Sequence, residues 1–188
     1  MNLRLAFLML CAAWLPAVFA AETLATRIPD TGMMSWKVYD RGISVEFLQL
    51  TPEGAQATYD SRDLPPAIYN SMRGYCIFGS VVRNEATGPL TYRVVDWRQV
   101  GADGKPVSLR TKTQWLTTWR KLGANFAWSI LPDDMTLETG DWALGYTPVK
   151  VRPGEKFDLL YVWRQHGKKY SGIMRDLVCP GPTPAPAS

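Results

Sequence analysis

Phe157-Asp158-Leu159-Leu160-Tyr161-Val162-Trp163-Arg164-Gln165 is the stretch that decides the fold of this chain. Side chains along a strand alternate with a period of two, so Phe157, Leu159, Tyr161 and Trp163 share one face. Aromatic and β-branched residues dominate, which favours strand over helix. His166-Gly167-Lys168 turns the chain, and residues 169–178 return beside it to complete a hairpin. Upstream, Pro153-Gly154-Glu155-Lys156 marks a turn that closes another extended run over residues 142–151.

The same rhythm continues towards the N-terminus. Ile43, Val45 and Phe47 oppose Ser44 and Glu46, the pattern of a half-buried strand, and Pro52-Glu53-Gly54 ends it. Residues 75–83 and 90–100 read as strands on either side of a turn at 84–89. Neither face of 90–100 is purely apolar, so its centre is expected to be buried and its ends wet. The turn Ala102-Asp103-Gly104-Lys105 then leads into 106–110 as a second hairpin. One short helix is expected over 67–73, with Pro65-Pro66 before it and Gly74 just past its end. In residues 111–122, Trp115, Leu116, Trp119 and Leu122 match helical spacing, but the threonines tip the reading to a strand or extended loop. Residues 124–130 alternate again, and Leu131-Pro132-Asp133-Asp134 opens a long polar loop. Many short strands with regular turn signals point to an all-β sandwich or barrel.

The N-terminus is of a different kind. Arg4 precedes an apolar run over residues 5–15, then Pro16 and the small-residue exit Val18-Phe19-Ala20-Ala21. This is the layout of a secretory signal peptide over residues 1–20, cleaved near Ala20/Ala21. A run of about eleven apolar residues is too short for a spanning helix of roughly 20, so no integral membrane anchor is expected after processing. Cys11 lies inside the apolar run and follows Leu8-Met9-Leu10, which does not suit a lipoprotein. The expected location is periplasmic or extracellular.

Beyond the leader, residues 21–179 suit one domain, and the Pro-rich end over 180–188 has nothing apolar to bury and is expected to be a disordered tail. Cys76 and Cys179 remain as a pair, most simply one disulfide in an oxidising compartment. A net charge of +4 is too mild to argue for nucleic acid, which an exported chain rarely meets.

Catalytic templates find little to work with. His166 is the only histidine, so a histidine-rich metal site cannot be built. No elbow motif surrounds a serine, and Asp133, Asp134, Glu138 and Asp141 read as a solvated loop without the calcium pattern. Sulfur ligands for copper are scattered over Met33, Met34, Met72, Met135 and Met174, with Met33-Met34 the only adjacent pair. No cofactor is expected.

Eight tryptophans stand in 188 residues, and all but Trp14 lie beyond the leader. Trp97, Trp115, Trp119, Trp128, Trp142 and Trp163 fall in strand-like runs, where core packing is the ordinary role. Any of them left outside would offer a platform for sugars or an anchor for a protein. Trp97, Trp115, Trp119, Tyr161, Trp163 and Arg164 form the candidate binding surface at this level.

The stretch from Tyr75 to Val107 contains Gly79-Ser80-Val81-Val82-Arg83-Asn84, Pro89-Leu90 and Asp103-Gly104-Lys105-Pro106-Val107. It resembles the middle hairpin of immunoglobulin-like modules of bacterial cell-envelope proteins, including the FxLYD type. The resemblance implies a two-sheet antiparallel sandwich with a binding or accessory role and carries over no catalytic residue. The expectation is a non-enzymatic exported protein that recognises another protein of the envelope. Carbohydrate binding by exposed Trp and Tyr, or copper handling through Met33, Met34 and His166, are the alternatives.

Overall fold

A computed structural model describes residues 21–181; residues 1–20, where a signal peptide is expected, and residues 182–188, in the expected tail, lie outside the described residues. Two antiparallel sheets face each other. The first holds β1 (Thr23–Arg27), β2 (Met34–Asp40), β3 (Ile43–Gln49), β4 (Cys76–Asn84) and β9 (Trp142–Val149), in that order. The second is centred on β10 (Lys156–Gln165), the strand of the opening stretch. On one side of it runs β11 (Lys168–Val178). On the other, β5 (Leu90–Arg93) and β6 (Arg98–Val100) lie along it end to end, backed by β8 (Asp134–Leu137) and β7 (Pro106–Ser108).

Alternation carries the core. Phe157, Leu159, Tyr161 and Trp163 are all buried, and they meet Trp36, Val38, Val45, Phe47, Phe78 and Val82 from the first sheet. The rings of Phe78 and Phe157 touch across the interface at 5.6 Å, edge to face. Cys76 opens β4 and Cys179 follows β11, and their disulfide, with Cα atoms 5.6 Å apart, ties one sheet to the other. Closing a loop of this length contributes about 4.7 kcal/mol in the chain-entropy account. Pro180 beyond it is still buried, so ordered chain continues past the expected start of the tail.

Three expectations need correction. The run 90–100 is two strands rather than one. Five residues, 93–97, stand opposite two of β10, and a 3-10 turn over Val94–Asp96 takes up the excess. Trp97 fills the gap by donating its Nε1 hydrogen to the Val162 carbonyl at 3.0 Å, standing in for a ladder bond. The turn at 84–89 does not close a hairpin, because β4 and β5 belong to different sheets. Buried Asn84 pins that crossing by donating to the carbonyls of Gly88 and Leu137 at 2.8 and 2.9 Å and accepting from the Ala86 amide at 3.0 Å.

The third correction is that three short α-helices, not one, accompany the sheets: α1 (Pro52–Asp60), α2 (Pro66–Asn70) and α3 (Lys112–Arg120). Thr51 caps α1 by accepting from the Gly54 amide, with Pro52 at its first position. Thr111 and Gln114 form a reciprocal capping box at α3, and the Asp133 carboxylate accepts from the Lys112 and Thr113 amides. These caps outweigh the weak helix propensity of the threonines in 111–122. Residues 124–130 are irregular rather than a strand, and the polar loop from Leu131 contains β8.

The helices build a second core on the outer face of the first sheet. Tyr59, Ile68, Trp115 and Trp119 pack there against Ile77, whose side chain points away from the inter-sheet core. Among the described residues no helix is long and apolar enough to cross a membrane.

Candidate functional site: an apolar groove on the outer face of the first sheet

The helical layer covers only one end of the outer face. Registered pairs share a face in an antiparallel sheet, so three cross-strand rows follow one another on this side. Leu48, Gly79 and Tyr146 make the first, Glu46, Val81 and Leu144 the second, and Ser44, Arg83 and Trp142 the third. Tyr146 ends the cover, its ring 6.2 Å from Tyr59 and its hydroxyl donating to Thr58 Oγ1 at 3.1 Å. Beside it Gly79 has no side chain, so the sheet surface drops to bare backbone. The result is a groove of about 320 Å³ lined by Leu48, Gly79, Val81 and Leu144, with Trp128 as a wall.

Apolar side chains stand open around it. Leu144 is 57% exposed, Trp142 50% and Trp128 37%. Trp128 is held by the Arg62 guanidinium, 4.5 Å above its ring. Segment 129–131 steadies that wall, because Ser129 and Leu131 hydrogen-bond the backbone of Tyr146 and Ile130 forms a parallel bridge with it. Charge at the rim is already matched. Glu46 accepts from Ser35 Oγ at 2.8 Å and lies 3.9 Å from Lys37 Nζ. Hydrogen bonding to Tyr39, with Glu46 close by, raises the Lys37 ammonium above the ordinary lysine value. Rigid apolar walls and a self-satisfied ion pair suit binding of an apolar segment rather than proton transfer.

The residues singled out in the sequence do not form a surface. Trp97, Tyr161 and Trp163 are buried between the sheets, while Trp115 and Trp119 are buried under the helices on the opposite side of the first sheet. Tyr161, Trp163, Trp115 and Trp119 face core because each falls on an inward position of its strand or helix, and Trp97 because it fills the break between β5 and β6. Tyr161 and Trp163 stack at 5.5 Å, and the Trp119 Nε1 hydrogen goes to Ser71 Oγ at 3.1 Å. Burial pushes the hydroxyls of Tyr59, Tyr92 and Tyr161 well above the ordinary tyrosine value, so they stay protonated. Arg164 alone is partly exposed, paired with Asp96 at 3.3 Å.

Comparison with protein-family models, with curated proteins and with solved structures finds no match. The groove therefore stands on its own geometry.

The copper candidates are kept apart. Met33 and Met34 stand at the start of β2, about 20 Å of extended chain from its far end. His166 belongs to that far end: Arg41, just past β2, lies 5.0 Å from the ring of Tyr170 on the same β10–β11 hairpin. Among the acidic residues, Asp133 caps α3 and Asp141 accepts from the Glu138 amide at 3.0 Å, so both have structural work.

Sequence reasoning missed Gly79, Val81, Leu144 and Leu48 as site residues, and it left Trp128 and Trp142 out of the candidate binding surface. One signal was present. Trp142-Ala143-Leu144-Gly145-Tyr146 alternates large with small, and the small residues are the inward set.

Proposed function

We propose that the protein is exported, loses residues 1–20 near Ala20/Ala21, and works as a non-enzymatic binding protein whose outer groove holds another protein of the cell envelope. The observation that carries this reading is the exposure of Leu144 and Trp128 beside the uncovered backbone of Gly79, with exposed Trp142 next after Leu144 along the outer face of β9. Exposed apolar groups clustered in a concave place favour a partner over solvent. The Cys76–Cys179 bridge supports an oxidising compartment.

The test is capture from envelope extracts with the mature chain as bait. Leu144→Glu puts a carboxylate in the opening without entering either core. The wild type retains a saturable partner, and the variant loses about tenfold or more in affinity. Equal capture by both, or no saturable partner, defeats the reading.

Carbohydrate binding is the second reading, favoured by the exposed ring of Trp142 and the partly exposed ring of Trp128. Soluble glycans would then quench tryptophan fluorescence in the wild type and not in Trp142→Ala.

A further inference from the structure

The edge of the first sheet beside the groove is unfinished. On β9, Tyr146 turns its backbone away from β4: its amide donates to the Ser129 carbonyl and its carbonyl accepts from the Leu131 amide at 3.0 Å. Backbone groups alternate along a strand, so the amides and carbonyls of Leu144 and Trp142 face the same open side. Segment 129–131 does not reach them. Ile130 closes a turn by donating to the Ala127 carbonyl at 3.2 Å, which carries the chain off the edge before the level of Leu144.

Two edge strands of the other sheet, β11 and β7, are treated differently. Along β11, the Ser171 carbonyl accepts from Arg41 at 3.1 Å, the Arg175 amide donates to Thr23 Oγ1 at 2.8 Å, and the Val178 carbonyl accepts from Gln49 at 3.2 Å. Side chains of the first sheet thus occupy that edge. At β7 the strand has three residues and begins with proline. An open edge flanked by exposed apolar side chains is a template for a further strand.

Resting on the groove reading above, we propose that the partner engages by strand addition: an extended segment with apolar side chains at alternate positions pairs with Leu144 and Trp142 of β9. The chain's own segment 129–131 already uses this mode two residues further along the same edge, so the incoming strand continues an existing contact. Main-chain hydrogen bonds then supply affinity, and every second side chain supplies specificity.

The probe is a capped heptapeptide, Thr-Val-Thr-Val-Thr-Val-Lys, with two twins N-methylated either at all valine amides or at all threonine amides. In strand addition only one alternate set of amides faces the edge, so one twin loses about tenfold or more in affinity and the other does not. Hydrogen exchange at the Leu144 amide of the mature chain slows about tenfold with peptide bound. Leu144→Pro removes an edge amide without touching the ladder to β4 and abolishes peptide binding, whereas Leu144→Val preserves it. Equal behaviour of the two twins, no saturable peptide binding, or pairing of two copies of this chain through β9 overturns the proposal. Equal binding of both twins together with loss of partner capture in Leu144→Glu would sink strand addition alone. Unchanged capture in that variant would sink the groove.

Discussion

Gln99 pairs with the backbone of Lys150 as a strand would. Its Nε2 donates to the Lys150 carbonyl at 2.8 Å, and the Lys150 amide donates back to Oε1 at 2.9 Å. Gln99 lies on β6 in the second sheet, and Lys150 follows β9 in the first, so one buried side chain joins the layers near the Cys76 end. Gln99→Leu leaves both backbone groups without this partner at a part-buried place. The expected loss is about 1–3 kcal/mol, read as a lower urea midpoint with an unchanged slope.

Two glycines of β4 and β9 make opposite predictions. A Cβ on Gly145 would lie 2.5 Å from the Leu131 Cα, where the chain crosses towards the second sheet, whereas a Cβ on Gly79 meets Leu48 at ordinary contact, its Cβ at 3.7 Å and its carbonyl oxygen at 3.9 Å. Gly145→Ala is expected to cost about 3 kcal/mol through forced backbone shifts. Gly79→Ala should leave stability within about 0.5 kcal/mol and lower partner affinity by shallowing the groove. Thermal melts of the two variants, with capture assays on the second, check both.

Tryptophans divide by cover rather than by number. Trp119→Ala opens the core beneath the helices and frees the Ser71 hydroxyl, with an expected loss of about 3–5 kcal/mol. Trp142→Ala should change stability by no more than about 0.5 kcal/mol while weakening binding. Denaturation curves followed by circular dichroism separate the two, since both variants alter fluorescence.

Alkaline pH should unfold the protein through its buried phenols. Burial raises Tyr59, Tyr92 and Tyr161 above the unfolded value of 10.0. The unfolded chain therefore releases these protons first. Their contribution is intact below pH 10 and falls away above it, by about 1.4 kcal/mol per pH unit for each tyrosine. Urea midpoints measured at several pH values from 8 to 11 give the slope. Tyr161→Phe should reduce it.

Much of the strand plan was legible because it is local. The alternation of Phe157, Leu159, Tyr161 and Trp163, and of Ile43, Val45 and Phe47, needs no knowledge of distant residues. The pairing of Cys76 with Cys179 followed from there being two cysteines after residue 20. Helix α3 was equally local and was misread: Thr111-Lys112-Thr113-Gln114 carries the capping box, and three threonines obscured it. Thr51-Pro52 likewise announced α1 behind what reads as a simple strand end.

The groove was not legible. A strand with apolar residues on both faces says only that both faces meet something, and on β4 the outward Ile77 is covered by helices while outward Val81 is not. Periodicity within the chain determined the all-β character, the hairpins and the inward sets of side chains, because each depends on the geometry of neighbouring residues alone. Tertiary structure decided which tryptophans see solvent and which edge of which sheet stays open. Burial is a property of what packs against a face, and here the cover is assembled from α1, α2 and α3, three separate stretches of chain that only the fold brings together.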